Sequence, residues 1–139
     1  MLTSPKFLHL VEAVAVIAAK SSIGAVRGTE VCKDMNLPDR YLEAEFQNLV
    51  HSGILKSIRG PKGGYVLAKE KRNINLADIL QGLAMAEKQR KPSRFGNIVV
   101  SRLELVKSDL RKITIHDLLK EASEKGVIDA IPQKVDFAI

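Results

Sequence analysis

Behind Ser4 and Pro5, apolar residues recur at helical spacing: Phe7, Val11, Val14, Ala15 and Ala18. The pattern predicts a helix with Ser4 as N-cap and Pro5 at its first position, ending near Ser21. Gly24 falls in the loop beyond, and Ala25-Val26 is long enough only for a very short strand. Thr29 to Met35 reads as a short helix that buries Val31 and Cys32, with Asn36 suited to the left-handed residue at its end. Pro38 and Asp39 open a further helix to about His51, with Leu42, Phe46, Leu49 and Val50 as its inward stripe and Gly53 as its stop. Two helices separated only by Asn36-Leu37-Pro38 predict a helix-turn-helix.

Two short apolar runs follow, Ile54, Leu55 and Ile58, then Tyr65, Val66 and Leu67. They flank Arg59-Gly60-Pro61-Lys62-Gly63-Gly64, in which Gly60, Gly63 and Gly64 permit positive φ and Pro61 fixes its own. The segment reads as a hairpin with Arg59 and Lys62 at a rigid tip, a shape suited to a minor groove or a phosphate backbone. Taken alone, it is equally an ordinary hairpin with solvated charges. Its position directly after the helix-turn-helix makes the whole a winged helix.

Asn75 is set to cap a helix from Leu76 to about Glu87, with Asp78 completing a capping-box variant and Ile74, Ile79, Leu80 and Leu83 facing inward. Lys88 to Gly96, rich in cations and breakers, reads as a linker. The longest helix is expected from about Asn97 to Lys112. Its Val99, Leu103, Val106, Leu110 and Ile113 are spaced alternately four and three apart, an a/d seam. That seam needs a cover. Its own domain is one candidate; the same helix of a second chain is favoured, because the linker separates it from the core. Thr114 and Asp117 cap a last helix through Leu118, Leu119 and Ala122, stopped by Gly126; the tail from Val127 to Ile139 has no clear period. The fold class is therefore mainly α with a small β-hairpin: a winged helix-turn-helix domain over 1–87, a linker over 88–96, dimerisation helices over 97–122 and a tail over 123–139.

A net charge of +6 and a pI near 9.6 favour a polyanionic partner, either nucleic acid or an acidic lipid surface. No apolar stretch approaches the roughly 20 residues that cross a bilayer, and the N-terminus does not read as a signal peptide. A cytoplasmic location is expected. The single cysteine, Cys32, excludes an internal disulfide and any multi-cysteine metal or iron–sulfur site within one chain. Cys32 reads as a small core residue, with a redox switch as the lesser alternative. His9, His51 and His116 lie far apart and show no metal-ligand spacing. No cofactor is expected. No nucleophile–base set or phosphate loop points to an enzyme.

The order of these residues resembles the Rrf-two family of bacterial winged-helix regulators. The resemblance rests on Leu2-Thr3-Ser4; on Tyr41-Leu42-Glu43 with Phe46 and Leu49; on Gly53-Ile54-Leu55; and above all on Arg59 through Ala68. Ile74 through Leu80 and Ile113-Thr114-Ile115 with Leu118-Leu119 extend it to about Ala122. It implies a homodimer that binds palindromic operator DNA. Four departures qualify it, one being that Ala44 and Asp39 differ from the polar pattern common in the cluster regulators, so their operator sequence does not carry over. Cluster-binding members carry three closely spaced cysteines at the start of the dimerisation helix, and Lys88 to Val106 has none. Gly28 stands where a larger apolar residue is usual, which should loosen the first helix of the motif. Glu45 also replaces an apolar residue; it would face solvent, pair with a cation or touch a neighbouring chain.

The N-terminal part of the second motif helix enters the major groove in such folds. Arg40, Tyr41, Glu43, Ala44, Gln47 and Asn48 lie on or near its outward face. Arg40 can donate to guanine or phosphate, Gln47 and Asn48 can pair with base edges or phosphates, and Glu43 can accept from a cytosine amino group. Arg59 suits a narrow minor groove. Lys56, Lys62, Lys69, Lys71 and Arg72 are candidates for phosphate contacts or plain solvation, and Tyr65 for packing. The expected function is a homodimeric transcription regulator on double-stranded DNA, with an unidentified small-molecule or protein effector left open. The alternative is a winged-helix protein-interaction module that has lost DNA binding.

Overall fold

A computed structural model describes residues 4–84 and 93–127. In chain order the elements are α1 (Pro5–Ala19), α2 (Gly28–Asp34), α3 (Glu43–His51), β1 (Leu55–Ile58), β2 (Gly64–Leu67), a single 3-10 turn at Lys71–Asn73, α4 (Leu76–Ala84), α5 (Arg94–Leu110) and α6 (Ile115–Glu124). Among the described residues the chain is mainly helical with one two-stranded antiparallel hairpin, a winged helix-turn-helix.

Helix α1 starts as its sequence dictates: the Ser4 hydroxyl accepts from the Phe7 amide, and Pro5 takes the first turn, where no amide partner is needed. Its burial is broader than the expected stripe. Leu10, Ala13, Val16, Ile17 and Ala19 are buried along with Phe7, Val14, Ala15 and Ala18. The reason is position: α2, α4, α6 and β2 all pack against α1, so it is the central rod of the domain. Around it lie the fully buried Leu42, Phe46, Leu49, Ile54, Leu55, Ile74, Ile79 and Ile115. Each such side chain contributes about 1.5–3 kcal/mol on leaving water.

Helix α2 buries Val31 and Cys32, and Asn36 beyond it adopts φ 57°, the left-handed conformation expected of it. The second motif helix is shorter than the sequence suggests. It begins at Glu43, not at Pro38. Residues 38–42 form consecutive turns instead, with the Tyr41 amide donating to the Pro38 carbonyl and the Glu43 amide to that of Arg40. In these turns Leu42 is buried and the half-buried Tyr41 ring packs toward α1.

In the hairpin, Leu55 pairs with Leu67 and Ile58 with Gly64, leaving a loop over 59–63. Gly60 and Gly64 take positive φ as expected. Gly63 does not; it is needed because a Cβ there would collide with the Ile58 carbonyl. The expected strand at Ala25-Val26 is one bridge, Val26 to Tyr65.

Asn75 and Asp78 exchange reciprocal capping bonds of 3.0 and 3.1 Å at the start of α4. The expected end of that helix, 85–87, and most of the expected linker lie outside the described residues. The last linker positions are helical: α5 begins at Arg94 rather than Asn97, because the Ser93 hydroxyl accepts from the Gly96 amide and caps the end. Ile113, expected on the α5 seam, lies past the helix end, and its carbonyl accepts from Leu76. The Ile115 amide donates in turn to the Ile74 carbonyl, so α6 is stitched to the start of α4. Thr114 and Asp117 form a full capping box, and α6 buries Ile115 and Leu119 against its own domain. The expected tail from 128 onward lies outside the described residues.

Candidate nucleic-acid interface

The outward face of α3 carries Glu43, Ala44 and Gln47, all exposed, with Asn48 half-buried beside them. His51, not singled out from the sequence, continues that exposed face one turn on. Arg40 precedes the helix on the turn, and its guanidinium lies 3.8 Å from the Glu43 carboxylate. Both partners are well exposed, so the pair is weak and leaves Arg40 available to a stronger acceptor.

Tyr41 is placed differently. Its ring packs toward α1, where Lys6 Nζ sits 5.0 Å from the ring centroid and His9 meets it edge-on at 5.5 Å. Its hydroxyl lies 3.4 Å from His9 Nδ1. The structure thus brings Arg40, Glu43, Ala44, Gln47 and Asn48 together and turns the Tyr41 ring aside.

Arg59 and Lys62 are exposed on the wing loop. The wing and α3 are tied together at Tyr65. Its ring packs on Phe46 at a centroid distance of 5.2 Å, and its hydroxyl accepts from Gln47 Nε2 at 3.1 Å. Burial and the nearby Glu43 carboxylate raise the Tyr65 pKa, which keeps the phenol neutral. A cleft of about 250 Å³ opens where the start of α2, the start of α3 and the hairpin converge, with Arg27, Thr29, Arg40 and Ser57 among its lining. Arg27 and Thr29 were not anticipated; no periodicity or motif marks them.

Gly28 is closely covered at the start of α2. The Phe46 and Tyr65 rings fill the space a side chain would take: a Cβ there would lie 3.0–3.2 Å from both. Glu45 is buried and its Oε1 lies 2.8 Å from Lys6 Nζ, so of the three alternatives it takes the ion pair. Cys32 is buried in α2, and burial raises its thiol pKa, which disfavours the reactive thiolate. No group of three potential metal-ligating side chains occurs among the described residues, and no helix among them is long and apolar enough to cross a membrane.

A helix-turn-helix whose second helix presents a polar face beside a cationic wing defines a DNA-binding regulator. The match to known proteins is specific. Residues 4–97, more than half of the chain, match the Rrf2 family, described as an iron-dependent transcriptional regulator; the chain belongs to the Rrf2 family of transcription regulators. The solved structure of T. potens IscR superposes with a TM-score of 0.71 at 30% identity, covering 90% of each chain. CymR, described as the global cysteine regulator of B. subtilis, superposes with a TM-score of 0.65 at 28% identity over 85% of this chain and 95% of that one. In sequence, the HTH-type transcriptional regulator IscR of Escherichia coli is 29% identical over 83 residues, 60% of this chain and 51% of the relative. The chain spans about half the length of the curated relatives it matches.

The family description raises the question of iron. A cluster held by three cysteines does not fit this chain, whose only cysteine is Cys32, enclosed in the core of α2.

Proposed function

We propose that this regulator is a homodimer that reads palindromic operator DNA and acts without an iron–sulfur cluster. The observation that carries the reading is the Gln47–Tyr65 hydrogen bond, which joins the polar face of α3 to the root of the Arg59 wing. Helix and wing then meet one duplex as a unit: Arg40, Gln47 and Asn48 in the major groove, Arg59 in the adjoining minor groove, Lys62 on phosphate.

Support for the dimer comes from α5. Val99, Leu103 and Val106 are 43–55% exposed along one stripe, while Leu110 is half-buried against the domain core. Phe95, Ile98 and Leu105 extend the exposed apolar surface around the helix. A 17-residue helix with no buried residue is too costly to leave in water. The same helix of a second chain supplies the cover, and its twofold axis matches that of a palindrome.

A salt titration of binding to duplex DNA, with sedimentation of the free protein, tests the proposal. A dimer whose affinity falls steeply with salt, by about 0.9 log unit per phosphate contact per log unit of salt, is expected. A protein with almost no salt slope would instead fit a protein-interaction module, and a monomer with a steep slope would overturn the dimer alone.

A further inference from the structure

The segment Val26-Arg27, between α1 and α2, does more than connect. Val26 and Tyr65 exchange both backbone hydrogen bonds, at 3.0 and 2.7 Å. Gly64 has no room for a side chain there, since a Cβ would collide with the Val26 carbonyl group. The base of the second wing strand is thus pressed against this segment, backbone to backbone. One residue on, Arg27 reaches along the wing and its Nη2 donates to the Pro61 carbonyl at 2.8 Å. Pro61 lies in the loop, two residues after Arg59.

The loop over 59–63 needs that anchor. Gly60 sits at φ 112° with nothing within 4 Å of its Cβ position, so no packing from the rest of the domain surrounds this point of the loop. The Gly63 amide closes on the Gly60 carbonyl, which sets the turn but does not fix its direction relative to the helices. Arg27 ties the loop to the start of α2, and the Tyr65 hydroxyl ties the strand to α3.

We infer that Arg27 is a positioning residue for DNA recognition: its guanidinium holds the Pro61 carbonyl so that Arg59 is presented at a fixed angle to the α3 face. This rests on the proposed DNA reading of the wing. Arg27 acts through Arg59, and that dependence distinguishes it from a phosphate contact. Freeing the loop adds conformations that must be given up on binding, so affinity falls without any lost contact to DNA.

The test is a double-mutant cycle in the full chain, using a duplex enriched by the wild-type protein from a random-sequence pool. Arg27→Met and Arg59→Ala are each expected to weaken binding at fixed salt about tenfold, equivalent to about 1.4 kcal/mol. The double variant should bind within about twofold of Arg59→Ala alone, because the two act in series. Arg27→Lys, which keeps a donor in reach of the carbonyl, should recover most of the affinity. Unfolding temperatures of the variants should match the wild type, since the Arg27 side chain is exposed. Effects that multiply in the double variant would overturn the assignment and make Arg27 an independent phosphate contact. An Arg27→Met that binds normally while Arg59→Ala is weak would overturn the assignment alone. A silent Arg59→Ala would overturn the wing's DNA role and this assignment with it.

Discussion

Lys6 Nζ lies 2.8 Å from Glu45 Oε1, and this pair joins the first turn of α1 to the first turn of α3. Glu45 is 5% exposed, and its second carboxylate oxygen has no hydrogen-bond partner among the described residues. Lys6 also sits over the Tyr41 ring, so one ammonium holds both the helix and the turn that leads into it. Glu45 is buried but the Lys6 side chain is 42% exposed, so the pair sits at the edge of the core and fixes the reading helix against α1.

The two ways of removing this pair should therefore give opposite results. Lys6→Met leaves the Glu45 carboxylate buried without its cation, and should cost about 1–3 kcal/mol in urea unfolding, since water reaches the exposed side of the pair. The double change Lys6→Met with Glu45→Leu removes both charges and should return stability to the wild-type value or above. A double variant as unstable as the single would show that the pair is a net stabiliser.

Gly28 should tolerate nothing large. Gly28→Leu drives a side chain into the Phe46 and Tyr65 rings, and overpacking of that kind costs about 1–3 kcal/mol. The displaced Tyr65 also loses Gln47, so DNA affinity should fall along with the melting temperature. Calorimetry and a binding isotherm on the same sample check both.

Changing Leu103 or Val106 to Glu should leave the winged-helix domain folded, since both side chains are exposed on α5. If the stripe is covered by a second chain, the variants should sediment as monomers and lose the cooperative half-site pairing of a dimer on a palindrome. Variants that remain dimeric would place the interface elsewhere.

Helix α6 should show an acid-sensitive cap. The Thr114 backbone amide, then its hydroxyl, holds the Asp117 carboxyl below the usual aspartate range. A carboxyl depressed on folding contributes stability that is present above its unfolded pKa, about 3.9, and lost as pH falls through the folded value. Asp117→Asn should thus lower the melting temperature at neutral pH and lose that difference in strong acid. Thr114→Ala should cost about 0.5–2 kcal/mol through the lost cap.

Much of this molecule is written locally. Ser4 with Pro5, Asn75 with Asp78, and Thr114 with Asp117 each specify a helix start within four residues, and each bond is made. The glycine-framed loop after Ile58 specifies the hairpin in the same way, because φ preferences are properties of single residues. The fold class and the polar face of α3 follow from such signals. Periodicity also exposes the apolar stripe of α5.

Only the tertiary structure decided the rest. Packing enclosed residues 13–19 of α1 on every side, where the spacing predicts an amphipathic stripe, while Leu8 and Glu12 in its first half stay exposed. It started α3 at Glu43, with Tyr41 and Leu42 packed in the turns before it. It paired Lys6 with Glu45 across 39 residues of sequence, and Arg27 with Pro61 across 34. Contacts at such separations leave no local pattern: neither residue of a pair restricts its own neighbours, and only the folded chain brings their charges and carbonyls within reach.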